Sequence, residues 1–124
     1  MRVPILKQGQ YLIASIQDDL TDSDLSQLRD DLGVRVGQQS IRGVIIDVTV
    51  LDVMDSFAAR TLGDVACIVK LRGAETVIVG IQPEVAFSMV RLGLSLDGVE
   101  TALDLEEGLA LLDAHTKPEG RRGR

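Results

Sequence analysis

Between residues 47 and 57, five oxygen-bearing side chains stand close together: Asp47, Thr49, Asp52, Asp55 and Ser56. Two chemistries are open to such a group. Carboxylates such as Asp47 and Asp52 can do acid–base work in a small hydrolase or transferase, a reading that rests only on their proximity. A serine hydroxyl at the start of a helix can instead accept a phosphoryl group. The phosphate then lies near unpaired N–H groups and gains roughly 0.3 to 1 kcal/mol from the helix dipole. The structural alternative is that Ser56 simply caps the helix, since Ser and Asp are both preferred there. Met54 and Phe57 flank the same group, and each is either a core residue or, if exposed, an apolar contact for a partner.

The rest of the chain is poor in catalytic equipment. Its single histidine, His115, lies beside the presumed C-terminal tail, so a Ser, His, Asp triad is not expected. One Cys and one His cannot form a zinc set, and the carboxylates lack calcium-loop spacing, so no metal and no cofactor is expected. No glycine-rich phosphate cradle follows a strand. Asp18, Asp19, Asp22, Asp24, Asp30 and Asp31 read as helix capping and a solvated face. Cys67 sits in an apolar helical pattern and reads as core packing, not as a redox thiol. No enzymatic activity is expected.

Composition sharpens these exclusions. The chain has 124 residues, a formal net charge of −6 and 45% hydrophobic residues, with two Phe and one Tyr as its only aromatics. One domain with an aliphatic core fits that length. Phosphate neutralisation needs clustered Lys and Arg, which occur only as Arg121, Arg122 and Arg124, so nucleic acid is not an expected partner. Without a secretion signal, a cysteine pair or an apolar run near 20 residues, the expected place is the cytoplasm, off the membrane.

Several elements are needed to hold residues 47–57. Residues 3–6 and 11–16 are apolar segments around Gly9 and predict a β-hairpin. Thr21 followed by Asp24 predicts a helix N-terminus, with Leu25, Leu28, Leu32 and Val36 on one face and a frayed end near Gln38, weakened by Gly33 and Gly37. Residues 43–48 form a nearly unbroken β-branched run, the pattern of a central strand covered on both faces. A second helix starts at Asp55 and Ser56, buries Ala58, Leu62, Val65 and Val69, and stops at Gly73. Residues 76–79 give another buried strand, Pro83 opens a short helix ending near Gly93, and residues 99–103 give an edge strand. Asp104 and Glu107 form a reciprocal cap for a last helix carrying Leu105, Leu109 and Leu112, and Pro118 ends ordered structure. The order β, β, α, β, α, β, α, β, α implies an α/β fold with a mixed, mostly parallel sheet, an N-terminal hairpin and packed helices.

A strand ending in Asp47, followed by the pair Asp55 and Ser56 opening a helix, resembles the phosphorylation site of STAS-domain anti-sigma-factor antagonists. Residues 43–47, 55–57, 62–65, 80–83 and 100–106 look like those of the RsbS-type stressosome members of that group, and the similarity runs to about Leu112. Phe57 and the lack of an N-terminal sensor domain also favour that type. The resemblance implies a STAS domain over residues 1–114, with residues 115–124 as a disordered basic tail. It implies homo- and hetero-oligomeric assembly with RsbR-type proteins in a stressosome, and capture of an RsbT-type serine kinase. Phosphorylation of Ser56 would release that kinase, with Asp52, Met54, Asp55 and Phe57 as partner-binding residues, in a stress-response pathway that works by partner switching. Thr49 lies near the site and is assigned no modification. The alternative within the family is a simpler antagonist that binds an anti-sigma kinase and frees a sigma factor.

Overall fold

The computed structural model describes residues 3–17, 20–96 and 98–116. In chain order the elements are β1 (Ile5–Gln8), β2 (Tyr11–Ser15), α1 (Asp22–Gln38), β3 (Gly43–Asp47), α2 (Ser56–Leu71), β4 (Glu75–Val79), α3 (Pro83–Leu92), β5 (Glu100–Ala102) and α4 (Leu105–Thr116). This is the expected order. The five strands form one sheet in sequence order, antiparallel between β1 and β2 and parallel elsewhere. Gly9 turns the hairpin at φ 62°, and β3 is the central strand.

Both faces of the sheet are covered. Leu12, Ala14, Val44, Ile46 and Ile78 face a large core with Leu28 and Leu32 of α1, Leu62 and Val69 of α2, and Val85 and Met89 of α3. Tyr11, Ile13, Ile45, Val77 and Val79 face the other way, onto Leu112 of α4. Period-two alternation therefore sends neighbouring residues into two different cores, and the strands read as unbroken apolar runs.

Helix ends follow their local chemistry. The Thr21 side chain accepts from Asp24 N at 3.1 Å while Asp24 Oδ2 accepts from Thr21 N at 3.0 Å, a complete capping box. The second bond holds the Asp24 carboxyl below the ordinary aspartate range. α1 ends at Gln38, the expected position, and at Gly33 an added Cβ would lie 2.9 Å from Ile68 of α2, so the glycine allows the two helices to approach. Pro83 occupies the first turn of α3, and Gly93 ends that helix at φ 71°. At α4, Asp104 accepts from Glu107 N at 2.9 Å, but Glu107 Oε1 reaches Leu103 N at 2.6 Å, so the return bond falls one residue earlier than expected.

Two further expectations change. Cys67 is exposed, not a core residue. The buried face of α2 is Ala59, Leu62, Val65, Ala66 and Val69, and at 100° per residue position 67 points well away from it. α4 continues to Thr116, so His115 and Thr116 are helical, two residues beyond the expected domain boundary; the remainder of the expected basic tail, and Asp18 and Asp19, lie outside the described residues.

Two outcomes are expected. Asp24 has a depressed pKa, so its contribution to stability is present above the ordinary aspartate range and fades as pH falls through the lower folded value. Asp24→Asn should therefore be less stable than the parent at neutral pH and converge with it in acid, as read by urea unfolding at a series of pH values. At Gly108 a Cβ would lie 2.7 Å from Val79 Cγ1, so Gly108→Val should lose about 1–3 kcal/mol by the same measurement, although a helical glycine is being replaced.

Candidate functional site

β3 delivers the chain to the carboxyl end of the sheet, and residues 48–55 cross that end to reach α2. The crossing is tightly held. Asp47 Oδ1 accepts from Thr49 N at 2.9 Å and from Thr49 Oγ1 at 2.6 Å, so this carboxylate is engaged in shaping the loop. Val48 N donates to Val79 O at 3.0 Å, and Leu51 N to Val48 O at 3.0 Å. From the neighbouring connection, Gln82 Nε2 donates to Thr49 O at 2.7 Å. Gly80, at φ 82°, lets that connection pass close: a Cβ there would collide with Thr49 Oγ1. Sequence reasoning gives Gln82 no role here, because a bond between residues 33 apart leaves no periodic signal.

Leu51 and Met54 plug the loop into the main core, with Met54 only 2% exposed. Met54 is therefore a core residue and offers no surface to a partner. The side chain that does is Val53, 73% exposed. It was not marked by the sequence, since a loop carries no alternation to say which of two adjacent apolar residues turns inward. Phe57 is half-buried against the main core, and Asp52, Asp55 and Ser56 are exposed.

The start of α2 tests the capping reading of Ser56. Asp55 is the N-cap, with extended backbone (φ −82°, ψ 177°) and its Oδ1 accepting from Ala58 N at 2.8 Å. Ser56 is the first helical residue and not the cap. Among the described residues its hydroxyl has no hydrogen-bond partner, and it faces solvent at the positive end of a 16-residue helix. The arrangement thus separates two tasks: a carboxylate secures the helix, and an adjacent hydroxyl is left available. Among the described residues no group of three or more His, Cys, Asp or Glu side chains could hold a metal ion, and no helix is long and apolar enough to cross a membrane.

Residues 2–108 match the STAS domain family. The chain belongs to that family. Within it, this STAS domain is similar to RsbS of Moorella thermoacetica, solved as a serine-to-glutamate variant: 35% identity, TM-score 0.78, covering 90% of this chain and 95% of that one. A chain in the solved architecture of the stressosome, described as a signal integration and transduction hub, gives 34% identity and TM-score 0.78, covering 93% of this chain and 100% of that one. The RsbT co-antagonist protein RsbRD of Bacillus subtilis is 36% identical over 67 residues, 54% of this chain and 24% of the relative. The chain thus spans about a quarter of the length of that curated relative. It is a STAS-domain protein similar to stressosome RsbS and RsbR proteins.

The division of labour at the start of α2 has a measurable consequence for this STAS domain. Asp55→Ala should cost about 1 kcal/mol, within the 0.5–2 kcal/mol range for lost caps. Ser56→Ala should stay within about 0.5 kcal/mol of the parent, as for a surface side chain with nothing to lose. Thermal and urea unfolding of the two variants check this directly.

Proposed function

We propose that this chain captures an RsbT-type serine kinase and releases it when Ser56 is phosphorylated, acting within a hetero-oligomeric stressosome together with RsbR-type STAS proteins. The observation that carries the reading is the free, exposed Ser56 hydroxyl beside a cap supplied by Asp55. A phosphoryl group can be added there without breaking the bond that starts α2.

Release follows from charge and hydration. The phosphate adds about −1.5 to −2 charges next to Asp52 and Asp55, and an acidic or apolar partner surface then faces repulsion and a desolvation cost. Val53, and whatever part of Phe57 remains accessible, supply the apolar contact next to that charge; Asp52 and Asp55 supply the neighbouring negative groups. Each 1.4 kcal/mol of lost interaction weakens binding about tenfold, so two such losses weaken capture about a hundredfold. The similarity to RsbS and the name of the curated co-antagonist support the identity of the kinase.

Ser56→Ala should hold an RsbT-type kinase as tightly as the parent, whereas Ser56→Asp should weaken capture by about tenfold or more, measured by titration calorimetry. Equal affinity for the two variants would sink the switch. Incubation with kinase and ATP, followed by peptide mass spectrometry, should place the phosphate on Ser56, and modification confined to another residue would overturn the site.

A further inference from the structure

α3 carries an outward stripe that the Ser56 site does not use. Val85 and Met89 bury its inner face, at 1% and 7% exposure. At 100° per residue, the direction opposite the midpoint of those two is that of Phe87. Phe87 is 62% exposed and Val90 beside it 79%, in a chain with only three aromatic residues. The stripe ends in opposite charges: Glu84 in the first turn, Arg91 in the last. Both are exposed, and among the described residues neither makes an ion pair or a side-chain hydrogen bond.

The spacing is self-complementary. Glu84 lies three residues before Phe87 and Arg91 four after, so the charges stand about 5 Å either side of a point just past Phe87. Two such helices packed antiparallel about a two-fold axis through that point place Glu84 of each copy level with Arg91 of the other, with the Phe87 rings meeting between them. Parallel packing would instead set like charges together. An isologous contact needs one patch to match itself, and this stripe does so in one orientation only. Phe87 is the type of residue that anchors such contacts, and charged ends fix their register.

We infer that the outer face of α3 is a docking surface for a second copy of this chain, antiparallel through Phe87, Val90, Glu84 and Arg91. A single helix face is smaller than the roughly 800 Å² per partner of a stable dimer, so the contact is weak in the isolated chain and gains strength when other contacts hold the copies together. The contact involves neither Ser56 nor a kinase and stands independently of the switch.

Concentration-dependent sedimentation equilibrium, with the α3 amide shifts followed by NMR over the same range, tests it. Phe87→Ser should weaken self-association by about tenfold or more, as loss of a central aromatic does. Glu84→Arg and Arg91→Glu should each weaken it several-fold. An equimolar mixture of those two variants should associate at least as well as the parent, because both cross-pairs are then restored. A mixture no tighter than either variant alone, or parental self-association in Phe87→Ser, overturns the proposal. So does a monomeric parent whose Phe87→Ser variant loses kinase capture, since the stripe would then belong to the kinase.

Discussion

Val44 and Ile46 of β3 enter the core beneath α1 and α2, whereas Ile45 between them enters the core that holds α4. A strand enclosed in this way has no face to give to water, and a slip of one residue would exchange the contents of the two cores. Its register with β2 and β4 is consequently fixed, and with it the point at which the chain leaves the sheet at Asp47. The loop to α2 begins from a fixed place and is pinned again by Leu51 and Met54. Apolar packing of the strand and loop thus fixes where Ser56 sits.

The polar contacts then refine what packing has placed. Asp47 folds Thr49 back onto itself, Gln82 ties the loop to the β4–α3 connection, and Asp55 starts the helix. Each of these groups is satisfied within the fold. Among the described residues of this group, exposed Asp52 and Ser56 are the side chains not already committed to structure, and of the two only Ser56 carries a hydroxyl. A modification site needs that condition, because a hydroxyl already spent on holding the helix start would exchange stability for each phosphorylation.

Much of this was legible in the residues. Continuous β-branched runs announced strands buried on two faces, and Thr21 with Asp24 announced the start of α1, because both signals are local. The nine elements came in the expected order for the same reason. Where the reading failed, the deciding interaction was either off-period or between distant residues. Cys67 was assigned to the core from its apolar neighbours, although the helical repeat carried it off the stripe. Met54 and Val53 could not be told apart in a loop without alternation. Asp55 and Ser56 are both good caps, and a one-residue difference in where α2 begins chooses between them, which is finer than sequence patterns resolve. Gly33, weak by helix propensity, lies inside α1 where α2 approaches, a contact between distant residues that local patterns do not show.

The exposure of Cys67 also matters beyond packing. It is the chain's single thiol, it lies on the same rigid helix as Ser56, and eleven residues of helix separate the two by roughly 16 Å along the axis. A dye or spin label attached there would ride on the element that presents the serine, on the same side of the helix and about three turns further along. The native sequence thus carries its own attachment point for a distance reporter, and changes around the start of α2 can be followed without adding or removing a cysteine.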